Sequence, residues 1–190
     1  EALSTRASAV RLKDPVPSDE LLDTALRAAA RAPDHGMLRP WKFLVVRGAA
    51  RERLGEVWAE ALARREPDSA PEALAKEAQK LLRAPLMIVV IAKVEPDHDR
   101  IPEVEQVISA GAAAQNLMLA FHAAGYGCMW KTGDPAYDPA VKRALGIEPH
   151  HHIVAFVHVG TPVALTHERT RPEHSDFVEV WTGPATSETA

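Results

Sequence analysis

Several clusters of chemically capable side chains occur in the sequence, but most lack the spacing that a metal or acid–base site requires. His150, His151 and His152 are adjacent. Neighbouring side chains on a strand point in alternate directions, so they cannot easily converge on one ion. We interpret them as a solvated turn. Glu103 and Glu105 are two residues apart, which sends their side chains to different sides of a helix. We interpret them as a solvated helix start and predict no metal site.

The motifs of several common enzyme classes are absent from the sequence. Gly125 and Gly127 are spaced like the first glycines of a dinucleotide-binding loop, but the third glycine is missing. The pair fits a tight helix-to-strand turn better. There is no phosphate-binding loop of the Walker type, no Gly-x-Ser-x-Gly elbow and no His-Glu-x-x-His helix. The sequence therefore contains none of the motifs that would indicate a nucleophilic hydrolase or a zinc hydrolase.

Composition is that of an ordinary globular protein, and it narrows the possible partners. The 190 residues are 46% hydrophobic and 25% charged, which predicts a single domain over residues 1–190. A formal net charge of −4 leaves no surplus of cations for nucleic acid. The longest apolar runs, such as residues 85–92, fall well short of a membrane span. The single cysteine, Cys128, lies in an apolar run, which predicts a buried thiol and a cytoplasmic protein.

Periodicity and helix-breaking residues predict alternating helices and strands without a regular βαβ repeat. Helices are predicted for residues 18–33, 50–65, 71–82, 102–124 and 139–145, and strands for 41–46, 86–94, 126–130 and 153–159. This mixture favours an α+β fold, a three-layer α/β/α sandwich with a central, mainly antiparallel sheet. The continuously apolar strand at 86–94 should be covered on both faces. An extended C-terminal tail follows Gly160 and needs another surface to lie on.

A run of small side chains at residues 109–114 should let another backbone approach the long helix closely. We therefore expect this helix to be the most buried. Residues 33–40 contain two prolines and a glycine, which predicts a loop between the first long helix and the first long strand.

Three separated segments together resemble the nitroreductase family, specifically its short single-domain branch of FMN-dependent NAD(P)H enzymes. Their order and spacing cover the chain from about Arg6 to Trp181. The segments are Arg6-Ala7-Ser8, then Arg31-Ala32-Pro33-Asp34-His35 with Arg39-Pro40-Trp41, and finally a series from Arg83-Ala84-Pro85 through Ser109-Ala110-Gly111 and Trp130-Lys131-Thr132-Gly133 to Gly160-Thr161-Pro162.

The resemblance implies an oxidoreductase that binds FMN and takes electrons from NADH or NADPH. The electron acceptor would be a small molecule such as a nitroaromatic compound or a quinone. Because the cofactor carries the chemistry, no catalytic side chain is required. A flavin-binding or storage module without turnover needs the same pocket, so it stays open as the alternative.

The resemblance also implies which residues hold the cofactor. Arg6, Ser8 and the backbone of Ala7 would contact the FMN phosphate, to which they can offer a cation and hydrogen-bond donors. A solvated N-terminal cap is the alternative for these residues. Trp130, Lys131 and Thr132 would lie beside the isoalloxazine ring and offer an indole wall, a cation and a hydroxyl group. A core-filling role is the alternative for Trp130, and it is compatible with the first.

A homodimer with shared active sites is implied as well. His35 and Arg39 would reach the flavin of the other subunit, and Arg171 resembles a C-terminal basic residue that contacts the phosphate. The sequence departs from the family pattern at three positions. Ala7 replaces an arginine, Val10 stands where many members have a lysine near the ring, and Arg39 replaces a commoner glutamine.

Overall fold

The computed structural model describes residues 1–163 and 172–184. Within them, helices and strands alternate as the sequence predicts. In chain order the elements are α1 (Ala2–Thr5), β1 (Leu12–Lys13), α2 (Asp19–Ala29), β2 (Trp41–Arg47), α3 (Ala49–Arg65), α4 (Pro71–Gln79), β3 (Leu86–Ala92), α5 (Glu103–Ala123), β4 (Gly127–Lys131), α6 (Asp134–Tyr137), α7 (Pro139–Ala144) and β5 (His152–Pro162), with 3₁₀ turns at His35–Met37, Lys80–Arg83 and His174–Phe177.

The predicted helix start at Ser18 is confirmed, because its side chain accepts a hydrogen bond from the backbone N–H of Leu21 at 3.2 Å. The predicted helix at 71–82 is shorter than expected. Regular α-helix ends at Gln79, and a 3₁₀ turn, Lys80–Arg83, leads into β3. The 3₁₀ turn carries the cationic side chains of Lys80 and Arg83.

The five strands of the described residues belong to one sheet, and every strand pair in it is antiparallel. The order is β1-β5-β3-β2, and β4 also pairs with β5. Strand β5 is long enough for β4 and β1 to share one of its edges: β4 pairs along residues 156–160 and β1 along residues 161–162. The predicted mainly antiparallel sheet is thus confirmed.

Helices cover both faces of the sheet and produce the predicted three layers. Alternate side chains of β3 point to opposite faces. One set packs with α2 and α5, where Leu117 and Phe121 are fully buried. The other set packs with α3 and α7 around Trp58 and Phe156. All seven residues of β3 are buried, as predicted for a strand covered on both faces.

Helix α5 has eight buried residues, more than any other helix in the described part of the chain, which confirms the expectation from its small side chains. Ala110, Ala113 and Ala114 are completely buried. Gly111 differs, since a Cβ added there would meet nothing within 4 Å. The side of α5 that carries Gly111 is therefore open in a single chain.

The C-terminal segment 172–184 leaves large apolar side chains in solvent. Phe177, Val178, Val180 and Trp181 are between 62% and 81% exposed. Among the described residues, no helix combines the length and the apolar character needed to cross a membrane.

Candidate functional site

The N-terminal segment lies along the edge of β4, although some 120 residues separate the two in sequence. Ser8 forms a parallel bridge with Cys128, and the N–H of Ala9 donates a hydrogen bond to the carbonyl of Cys128 at 2.9 Å. Gly127 permits this contact. A Cβ at that position would lie 2.7 Å from both the Cβ of Ala9 and Cδ2 of Leu12, closer than packed carbon atoms approach. Two of the three segments that carry the family resemblance therefore meet at one sheet edge.

Cys128 is the inert buried thiol that the sequence predicts. Its side chain is 3% exposed, and burial raises its pKa to about 12. The charge of Arg6, two residues before Ser8, opposes that shift. The side chains of Arg6, Ala7 and Ser8 are half-buried.

A cavity of about 890 Å³ opens beside this contact, within the size range of small-molecule sites. The segment of residues 9–12 and the turn that follows β4 both line it. The side chains of β4 and β5 and of helices α3 and α4 complete it. The lining residues are Ala9, Val10, Arg11, Leu12, Trp58, Arg65, Glu77, Lys80, Arg83, Met129, Lys131, Thr132, Gly133, Asp134, Pro135, His158 and Val163.

The cavity is rich in positive charge, although the chain as a whole is acidic. Five cationic side chains and two carboxylates line it, against a net charge of −4 for the chain. Both carboxylates are engaged by cations: Glu77 pairs with Lys80, and Asp134 lies 3.1 Å from Arg65. The remaining positive charge favours a ligand with negatively charged or electron-rich oxygen atoms.

The floor of the cavity combines a buried histidine with a buried tryptophan. His158 is 5% exposed and Trp58 is 4% exposed. Burial, Arg83 and Lys131 together lower the pKa of His158 to about 4, so the imidazole is neutral near pH 7. Trp58 packs edge-on against Phe156 with ring centroids 4.9 Å apart. Phe156 lies two residues before His158, on the same face of β5.

The predicted ring-binding residues separate at the end of β4 because neighbouring side chains on a strand alternate. Lys131 and Thr132 line the cavity. Trp130 instead packs against the core between the sheet and helices α2 and α5. Its indole fills the core on the opposite face of the sheet from the cavity.

The predicted loop residues lie elsewhere in the chain and do not line this cavity. Nδ1 of His35 is 2.7 Å from Oε2 of Glu105, at the start of α5. The N–H of Arg39 donates a hydrogen bond to Oδ2 of Asp34 at 2.6 Å. Arg39 and Met37 have positive φ angles of 50° and 57°, an unfavourable conformation for residues with side chains. These polar contacts hold the loop in an unusual shape while His35 and Arg39 remain exposed.

Two interpretations of polar clusters need correction. Glu103 and Glu105 are not simply solvated, because each pairs with a histidine: Oε1 of Glu103 lies 2.6 Å from Nε2 of His152, and Glu105 contacts His35. His152 is the first residue of β5 rather than part of a turn. Sequence spacing could not reveal pairs between residues 49 and 70 positions apart. Over residues 1–163 and 172–184, no cluster of side chains suits a metal ion. Arg171 lies outside the described residues.

Of the predicted cofactor contacts among the described residues, only Lys131 and Thr132 line the cavity, and Arg6, Ala7 and Ser8 precede its lining residue Ala9. The chemically capable lining residues that were not predicted include Trp58, Glu77, Lys80, Arg83 and His158. Most of them lie on elements whose polar content indicated plain surface helices. One signal was available, because Glu77 and Lys80 are three residues apart and can pair on a helix. The position of His158 within an apolar strand was a second, weaker signal.

Comparisons with known proteins identify the family and the fold. The sequence model of the Nitroreductase family matches residues 3–161. YdjA of Escherichia coli K12, which carries a provisional NAD(P)H nitroreductase name, is 40% identical over 162 residues, covering 85% of this chain and 87% of YdjA. A similarly named protein of Haemophilus influenzae is 34% identical over 177 residues, covering 93% of this chain and 95% of its own.

Solved structures show the same architecture. A nitroreductase-like family protein from Bacillus cereus superposes with a TM-score of 0.81 at 25% identity, covering 96% of this chain and 95% of its own. A nitroreductase with bound FMN from Bacteroides fragilis has a TM-score of 0.71 at 21% identity and covers 95% and 96%. The fold is that of the three-layer nitroreductases, and the chain belongs to the nitroreductase family.

Proposed function

We propose that the protein is an FMN-dependent oxidoreductase that passes electrons from NADH or NADPH to small acceptors such as nitroaromatic compounds or quinones. The observation that carries the proposal is the cation-rich cavity between the N-terminal segment and the end of β4. The NAD(P)H nitroreductase names of the curated relatives and the FMN bound to the Bacteroides fragilis protein support it.

The donor set suits FMN. A phosphate needs cations and hydrogen-bond donors, which Arg6, Ser8 and the Ala7 backbone offer beside β4. The cavity has apolar walls at Val10, Leu12 and Met129, suited to a flat aromatic ring. When bound, FMN would accept a hydride and pass the electrons on, so the protein needs no acid–base pair of its own.

In this proposal the protein contributes mainly position and charge. Lys131 and Thr132 lie at the cavity wall, where a cation and a hydroxyl group can face the polar edge of the ring. Reduction makes the ring more negative, and a fixed cation stabilises such charge most where water is excluded. Trp130 would act indirectly, because it packs β4 against the core on the other face of the sheet.

We further propose one domain over residues 1–190, a cytoplasmic location and a homodimer with shared sites. His35 and Arg39 are exposed and do not line the cavity of their own chain. In the shared arrangement that the family resemblance implies, they would reach the flavin held by the other subunit. Exposed apolar side chains offer surface for such an assembly, among them Val104 and Ile108 on α5 and Trp181 in the C-terminal segment. Arg171 remains a proposed phosphate contact.

Visible absorption spectroscopy tests the proposal. Protein incubated with excess FMN and then desalted should keep a flavin band, and NADH or NADPH should bleach that band without oxygen. Protein that stays colourless would contradict the proposed cofactor. A retained flavin that neither nucleotide reduces would instead favour the storage module.

A further inference from the structure

Three of the five cations around the cavity have no carboxylate partner among the described residues. They are Arg11, Arg83 and Lys131, since the other two form the ion pairs with Glu77 and Asp134. Cations that are not neutralised and that face an enclosed space attract a negatively charged ligand.

Arg83 and Lys131 are exposed and line the same cavity as His158. The antiparallel register pairs His158 with Met129 of β4 on one side and with Met87 of β3 on the other. Lys131 lies two residues beyond Met129, on the same face of β4. Arg83 ends the 3₁₀ turn Lys80–Arg83, just before β3. Both charges help to lower the pKa of His158, which agrees with their placement near the imidazole.

The floor also contains hydrogen-bonding groups without a protein partner. Among the described residues, neither Nδ1 of His158 nor Nε1 of Trp58 has one. The indole N–H can only donate, and a neutral imidazole can donate through one nitrogen. Both nitrogen atoms are closed off from solvent, so the donors that a ligand in the cavity can reach directly are the exposed side chains of Arg83 and Lys131.

We propose that Arg83, Lys131 and His158 form an anion-binding subsite of the flavin cavity, which holds the negatively charged group of a redox substrate. This inference rests on the proposed function, because it assigns the subsite to a substrate that shares the cavity with FMN. The bound group is a carboxylate of the electron acceptor or a phosphate of the nucleotide donor. Both have the acceptor oxygen atoms and the charge that Arg83 and Lys131 complement.

Matched pairs of probes test the subsite in the FMN-loaded protein. The acceptors 4-nitrobenzoate and 4-nitrobenzamide have similar shapes and differ in charge, and NADPH differs from NADH by one phosphate. Dissociation constants of the two acceptors are measured from the perturbation of the oxidised flavin spectrum. Those of the two nucleotides are obtained from the concentration dependence of the rate of flavin reduction in stopped flow without oxygen. Both sets are compared for wild type and Arg83→Gln. Loss of a charge-assisted contact should weaken binding of the charged member of one pair about tenfold, while its comparator changes less than twofold.

The pair that responds identifies the source of the anion. A selective loss for 4-nitrobenzoate assigns the subsite to the acceptor, and a selective loss for NADPH assigns it to the donor. Arg83→Lys keeps the charge and should restore most of the affinity. Arg53→Gln, on the exposed side of α3, is the matched control and should leave all four constants unchanged.

Failure of the subsite can be distinguished from failure of the proposed function. If wild-type protein does not retain FMN, the proposed function is wrong. If FMN is retained but Arg83→Gln weakens both members of each pair equally, or weakens neither, the subsite is wrong. Arg83→Gln could also bind FMN more weakly while the ratio of the two dissociation constants within each pair stays as in wild type. That result would place Arg83 in the cofactor site and would also overturn the proposed substrate subsite.

Discussion

The cavity beside β4 and the loop of residues 33–40 are built in opposite ways. Distant segments meet at the cavity through close backbone contact, with Ser8 bridged to Cys128 and Gly127 leaving room for Ala9. The loop is held by polar contacts of exposed side chains, such as His35 with Glu105. Close packing tolerates little change, whereas exposed ion pairs contribute little to stability. Substitutions in the cavity region should therefore have larger effects than substitutions in the loop.

The largest effect is expected for Gly127→Ala. The added Cβ would lie 2.7 Å from two side-chain carbon atoms, and overpacking of this kind costs about 1 to 3 kcal/mol. The free energy of unfolding, measured with urea, should fall by that amount, and FMN affinity should fall with it. Gly111→Ala is the control, because its Cβ meets nothing and alanine favours a helix. Equal changes in the free energy of unfolding for the two variants would show that close packing at Gly127 does not limit stability.

Arg6→Ala should weaken FMN binding by about 1.5 to 3 kcal/mol, the cost of losing a hydrogen bond to a charged group. Titration of flavin-free protein with FMN measures this loss. Riboflavin lacks the phosphate and should bind to the variant and to wild type about equally. Unchanged FMN affinity would remove Arg6 from the site.

Acid should destabilise the cavity region through His158. Its pKa is about 4 in the folded protein and about 6.5 when unfolded, so the unfolded chain binds more protons between these values. Stability from this group is present above pH 6.5 and is lost as pH falls towards 4. Between pH 7 and pH 5 the loss is about 2 kcal/mol. The free energy of unfolding, measured with urea at pH 7 and pH 5, should therefore fall by about 2 kcal/mol less for His158→Gln than for wild type. Equal falls for the two proteins would contradict the low pKa of His158.

The smallest effect is expected in the loop, for Glu105→Gln. The pair with His35 is about half exposed on each side, and exposed pairs contribute about 1 kcal/mol or less. The midpoint of urea unfolding should hardly move, and Gly127→Ala under the same conditions provides the scale. A loss as large as that of Gly127→Ala would show that the two regions do not differ as described.

The sequence predicted regular elements better than it predicted contacts between distant residues, in the cavity as well as in the loop. The strands and the long helices follow from local periodicity, and the three layers from the mixture of these elements. The family resemblance predicted Lys131 and Thr132 beside the flavin ring, and both line the cavity. The pairs of Glu105 with His35 and of Glu103 with His152 depend on loop geometry and long-range packing, which local patterns do not contain. Arg83 and His158 join the cavity only because a 3₁₀ turn and the register of β5 bring them together. For Trp130 a place beside the ring and a core role were both open, and strand alternation turns its indole to the core.

The central claim is that the cavity of one subunit and the loop of the other form one active site. Mixing two inactive parents, Arg6→Ala and the double variant His35→Ala with Arg39→Ala, tests it most directly. In a shared arrangement, the mixed dimer has one intact site and one doubly damaged site. NAD(P)H oxidation should then rise above that of both parents once subunits exchange. No recovery, with mixed dimers demonstrated in the sample, would contradict the account and show that each subunit builds its site alone.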